Sequence, residues 1–114
     1  MRVTSPLRKN HEFRNLYNRG KSAASHIAVV YCRRNGRAEN RLGITVSAKL
    51  GGAVQRNRIR RRLKEIYRLN ENKLLIGYDI VIVARMKSRF SAYREIEASV
   101  LSLMSKLKLL GDSK

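Results

Sequence analysis

The sequence predicts an α+β sandwich in which helices pack on a small sheet. Three observations carry that expectation: short runs rich in β-branched residues, longer stretches with apolar residues at helical spacing, and an interleaved order of helix, two strands, helix, strand, helix. A chain of 114 residues suffices for one such domain and not for two. No repeat, low-complexity tract or linker divides it, and its seven glycines and one proline are scattered as punctuation.

The first helix follows Pro6. Asn10 is placed to cap it, Phe13, Leu16 and Tyr17 fall at i, i+3 and i+4, and Gly20 is placed to end it. Ile27 to Cys32 reads as a central strand, with Ile27, Val29 and Tyr31 on one face and Ala28, Val30 and Cys32 on the other. The turn-forming stretch Arg33 to Asn40, centred on Asn35-Gly36, leads into a second strand, Leu42 to Ser47, and the two are expected to pair as an antiparallel hairpin with a long loop. A basic helix follows from about Val54 to Arg68. Tyr78 to Ala84 is a third strand, whose nearly continuous apolar character predicts burial on both faces. Ser88 or Ser91 then opens a last helix that turns Ile96, Val100, Leu103, Met104 and Leu107 toward the core.

Charge narrows the function. With 26 Lys and Arg against 8 Asp and Glu, the net charge of +18 asks for a polyanion partner: nucleic acid, an anionic membrane or an acidic protein. No stretch approaches the roughly 18 apolar residues of a spanning helix, and the N-terminus lacks the apolar core of a signal peptide. A cytoplasmic location is therefore expected. The single cysteine, Cys32, cannot form an internal disulfide or supply a cysteine metal cluster, and reads as a small buried strand residue.

The basic helix has two faces. With Ile59 as reference and about 100° per residue, Leu63, Ile66 and Tyr67 form an apolar stripe toward the core. Arg61, Lys64 and Arg68 share the outer side with Asn57, Arg58 and Arg60 flank it, and Arg56 and Arg62 border the apolar stripe. A merely solvated face normally mixes signs, whereas here seven bases meet one acid, Glu65, so like charges repel by a few tenths of a kcal/mol per pair. Six of the seven are arginine, which favours bidentate phosphate contacts and stacking, and hence nucleic acid over lipid.

Leu50-Gly51-Gly52-Ala53-Val54-Gln55-Arg56-Asn57-Arg58-Ile59-Arg60-Arg61-Arg62-Leu63-Lys64, with its Arg-Asn-Arg core, resembles the signature of the protein subunit of bacterial ribonuclease P. The resemblance extends to Leu7 through Gly20, to Leu42 through Ser47 and to Asp79 through Arg85. Two positions depart from it: the family usually carries a basic residue where this chain has Ala48, and Asn where it has Gly52. The resemblance implies a single-domain α/β sandwich, with three helices on a small mixed sheet (ribosomal protein S5 domain 2-like).

It also implies a function: a protein subunit that assists a catalytic RNA in the magnesium-dependent removal of the 5′ leader of precursor tRNA. The implied partners are that RNA and precursor tRNA, without membrane or small-molecule substrate. The protein alone would bind no cofactor, magnesium being required by the RNA–protein holoenzyme. By resemblance, Arg56, Asn57, Arg58, Arg60, Arg61, Arg62, Lys64 and Arg68 would face the catalytic RNA. A cleft between the first helix and the sheet would receive the leader, lined by Phe13, Tyr17 and Tyr31. Spacing alone leaves open whether Phe13 and Leu16 line that cleft or pack the helix onto the sheet, but aromatic faces beside a basic surface suit a leader of variable sequence. Ser47, Lys49, Arg85 and Lys87 stand at strand ends within reach of leader phosphates, or are simply solvated.

The polypeptide offers no catalytic constellation of its own. Glu95 and Glu97 are two apart on a helix and point in different directions, Asp79 stands alone at a strand start, and His11 and His26 are lone surface histidines.

Overall fold

A computed structural model describes residues 4–111. The strands are β1 (Thr4–Pro6), β2 (Lys21–Ala24), β3 (Ala28–Arg34), β4 (Asn40–Thr45) and β5 (Tyr78–Ala84); the helices are α1 (Asn10–Arg19), α2 (Ala53–Asn70) and α3 (Tyr93–Lys106). Short 3-10 turns occupy Ala48–Leu50, Glu71–Lys73 and Met86–Phe90. The α+β class is as the sequence predicts. β5 has the bounds expected for the third strand and lies at the centre of a mixed sheet of order β1-β4-β5-β3-β2. Its Ile80, Val81 and Ile82 are wholly buried, which an apolar run requires a layer on each face to achieve.

The expected hairpin does not form. β5 inserts between its two strands, antiparallel to β3 and parallel to β4, so the 35–39 loop steps across β5 instead of turning back beside its own strand. Asn35 fixes that step, its N–H donating to the Gly77 carbonyl at 2.9 Å and its Nδ2 to Asp79 Oδ1 at 3.0 Å. Buried Asn40 secures the far side: its Oδ1 accepts from the Gly77 and Tyr78 N–H groups at 2.8 and 2.9 Å. Burial of the most apolar strand outweighs the short loop-closure advantage of a hairpin.

Side chains alternate across the sheet. Ala28, Val30, Cys32, Ile80, Ile82 and Ala84 face one way, into a core completed by Ile59, Leu63, Ile66 and Tyr67 of α2 and Ile96, Val100, Leu103 and Met104 of α3. Leu107 is only half-buried, and Leu109 beyond the helix takes the buried place expected of it. Val81 faces the other way, against Leu7 and Leu16, with Phe13, Tyr31 and Val83 packed alongside. Burial pushes the Cys32 thiol up, so this cysteine is an inert core residue.

All three helices start by one device, which differs from the caps expected at Asn10, Ser88 and Ser91. A Glu or Gln at the third helical position reaches back to the N–H of the capping residue: Glu12 to Lys9, Gln55 to Gly52 and Glu95 to Ala92, at 3.2, 3.0 and 2.8 Å. Asn10 is thus already helical, while Ser88 and Ser91 lie buried in the preceding turn, bonded to the carbonyls of Arg85 and Lys87. Gly20 does end α1, its N–H donating to Leu16 O at 2.9 Å.

Candidate nucleic-acid interface

Packing of its apolar stripe against the sheet turns the charged side of α2 outward. Asn57, Arg58, Arg61, Lys64 and Arg68 are exposed, and Arg56, Arg60 and Arg62 half-buried, the order that helical periodicity predicts. Among the described residues one ion pair forms on this face, Arg68 to Glu65 at 2.8 Å. The side-chain hydrogen bond in that pair holds the Glu65 carboxyl below its usual range and raises Arg68. Arg60 meets only the neutral amide of Asn57, 3.4 Å away. Arg56 Nε is buried with no hydrogen-bond partner among the described residues. Arg68, already holding a carboxylate, is the least free of the eight to take a phosphate.

On the opposite side of the sheet, α1 packs over β3 and β5 and sends side chains across to β4. Arg41, Gly43 and Thr45 share a β4 face and meet Glu12, Phe13 and Tyr17 of the helix in turn. Arg41 binds Glu12 at 2.5 Å and Asp79 at 2.7 Å. Phe13 lies on Gly43, where a Cβ would stand 2.6 Å from the ring. Tyr17 and Thr45 share a hydroxyl hydrogen bond of 3.1 Å. The Tyr17 ring meets Tyr31 edge-on, centroids 4.9 Å apart, and Phe13 at 6.5 Å. Leu16 is core, whereas Tyr17 is 37% exposed and Phe13 and Tyr31 are half-buried. The structure therefore brings the three predicted aromatics together on one partly open surface, with Leu16 in the core and Phe13 and Tyr31 packed partly against it.

Ser47, Lys49, Arg85 and Lys87 are all exposed and follow the C-terminal ends of the parallel strands β4 and β5. They stand at the end of the sheet toward which the aromatic surface runs. Arg85 is anchored there, donating to the Ser25 carbonyl at 3.0 Å.

A family model described as Ribonuclease P matches residues 1–108. The chain belongs to the ribonuclease P protein family. The ribonuclease P protein component of Alkaliphilus metalliredigens is 43% identical over 110 residues, covering 96% of this chain and 99% of that protein. That of Clostridium botulinum (strain Loch Maree / Type A3) is 46% identical over 101 residues, covering 88% of this chain and 91% of that protein. The ribonuclease P protein of Staphylococcus aureus superimposes with a TM-score of 0.85 at 32% identity, covering 93% of this chain and 97% of that one. For the Thermotoga maritima protein the values are 0.82 and 32%, with 90% and 96% covered.

As a member of the ribonuclease P protein family, this chain also carries residues at the site that its sequence did not single out. Arg41, Gly43 and Thr45 shape the floor under α1, and their period of two along β4 is the signal that could have found them. Among the described residues no three His, Cys, Asp or Glu converge on a point that could hold a metal ion. No helix in them is long and apolar enough to cross a membrane.

Proposed function

We propose that this chain is the protein subunit of a ribonuclease P ribonucleoprotein: it binds the catalytic RNA and the 5′ leader of precursor tRNA, and assists endonucleolytic removal of the leader in tRNA 5′ maturation. The observation that carries this reading is the outer face of α2, where Arg58, Arg61 and Lys64 stand exposed with no described carboxylate paired to them. Cations so arranged repel one another until phosphates neutralise them, and the release of counterions from RNA then drives binding. Arg56, Arg60 and Arg62 add guanidinium groups at the margin of the same face, and Asn57 a neutral amide on its outer side.

The leader falls to the other side of the sheet. Phe13, Tyr17 and Tyr31 offer aromatic surface on which unpaired bases stack without regard to sequence, each worth about 1–3 kcal/mol. Ser47, Lys49, Arg85 and Lys87 continue that surface with groups suited to backbone phosphates. Magnesium supplies, when bound by the RNA, the charge stabilisation and activated water of phosphodiester hydrolysis. Among the described residues no three acids or histidines converge as a magnesium site would need, and Glu12 and Asp79 are held by Arg41 and Glu65 by Arg68. Its residues bind and orient, and the chemistry is left to the RNA.

Mixing the purified chain with a bacterial ribonuclease P RNA and precursor tRNA at low magnesium tests this reading. We expect 5′ cleavage that the RNA alone does not sustain at that magnesium concentration. Failure with several such RNAs would favour a general RNA chaperone.

A further inference from the structure

The N-terminal half of α2 borders a hollow of about 430 Å³ whose other wall is the 3-10 turn Met86–Phe90 and the start of α3. Gln55, Arg58, Ile59 and Arg62 line it from the helix, Arg89 and Phe90 from the turn. Phe90 is 76% exposed, the most exposed of the large apolar side chains among the described residues. Burying such a ring would contribute about 1.5–3 kcal/mol to folding, so its position has no rationale in the stability of the isolated chain. Nor is it displayed by looseness of the turn. Ser88 and Ser91 are buried on either side of it and bond back to the carbonyls of Arg85 and Lys87 at 2.7 and 2.8 Å, which fixes the turn that carries the ring. The Arg89 guanidinium stands 5.4 Å from the ring centroid.

We infer that this hollow is a stacking site for one unpaired nucleobase of the RNA that α2 binds, with Phe90 as the platform and Arg58, Arg62 and Arg89 as partners of the flanking phosphates. An exposed aromatic beside Arg89, in a hollow that Arg58 and Arg62 also line, matches the chemistry of a splayed-out nucleotide, whose base has an apolar face and whose two phosphates are anionic. An apolar protein partner would instead have to desolvate those three guanidinium groups without compensation. The site turns a basic helix that reads only charge into one that also requires an unstacked base at a set position. It rests on the reading of α2 as the catalytic-RNA face and adds to it a structural preference in the RNA.

The chain has no tryptophan, so Phe90→Trp introduces a single fluorescent reporter at the site. Titration of that variant with a bacterial ribonuclease P RNA is expected to quench its emission strongly. Phe90→Leu should weaken binding to the same RNA by about 5- to 100-fold, the range of a lost base stack, with the salt dependence unchanged because no charge is removed. The pair Arg61→Ala with Lys64→Ala, outside the hollow, serves as the control for the helix itself. Unquenched emission from the Phe90→Trp variant and wild-type affinity for Phe90→Leu, while the control pair still weakens binding, would overturn the stacking site and leave the helix reading intact. If neither Phe90→Leu nor the control pair alters affinity, both fall. A change in self-association on sedimentation of Phe90→Leu, with RNA affinity unmoved, would make the ring a protein contact and likewise overturn the proposal.

Discussion

Arg41 ties two layers of the molecule together, because its guanidinium is shared between Glu12 on α1 and Asp79 on β5. The hydrogen bonds to Asp79 are the larger cause of its raised pKa, with Glu12 adding to them. For Glu12 the causes oppose: burial pushes the carboxyl up, but the Lys9 N–H and the Arg41 guanidinium outweigh it and hold it below its ordinary 4.5. A depressed carboxyl contributes stability that is fully present above about pH 4.5 and lost as pH falls through its folded value. Glu12→Gln should therefore unfold in less urea than the parent at pH 7, by about 1 kcal/mol, with the gap closing near pH 3. A gap that stays constant with pH would mean that the charge of Glu12 contributes nothing. Gly43 acts through absence: with no side chain there, the edge of the Phe13 ring can close onto β4, where a Cβ would stand in its place.

At the scale of elements, α2 is the part whose two faces follow most directly from periodicity. Ile59, Leu63, Ile66 and Tyr67 are buried and Asn57, Arg58, Arg61 and Lys64 exposed, as a 3.6-residue repeat requires. If about six of its cations meet RNA phosphates, the logarithm of affinity should fall with the logarithm of salt concentration at a slope of about −4 to −5. Arg61→Ala with Lys64→Ala should flatten that slope by one to two while unfolding stays cooperative, and a parent slope near −1 would contradict the multiple contacts. Other elements were less legible. Lys21–Ala24 and Thr4–Pro6 are edge strands held by backbone ladders, one lacking β-branched residues and the other only three residues long, so no apolar alternation announces them. Partner choice within the sheet is a tertiary matter: nothing in 33–40 says that β5 will lie between β3 and β4. The same limit applied to the site. Phe13, Tyr17 and Tyr31 could be grouped through the family resemblance, but the exposure of Phe90 is decided by a turn whose buried serines read in sequence as helix caps.

The described residues present two different surfaces on opposite faces of one sheet, a cationic helix on one and a partly exposed aromatic cluster beside α1 on the other. With extents of 36 × 35 × 24 Å, the chain would hold a catalytic RNA and a substrate leader within a few nanometres of each other, the reach over which an assisting subunit can position one against the other. On the proposed reading, the net charge of +18 would draw both RNAs without discriminating between them, and the division of labour would lie in the aromatic surface. It follows that the complex with the catalytic RNA should distinguish substrate from product by the leader alone. The decisive measurement is the affinity of that complex for precursor tRNA and for mature tRNA, with the parent chain and with Tyr17→Ala combined with Tyr31→Ala. We expect the parent complex to hold precursor tRNA more tightly by roughly tenfold or more and the double variant to lose most of that preference while still binding the catalytic RNA. Equal affinity for the two tRNAs in the parent complex would contradict the assignment of the leader to this face.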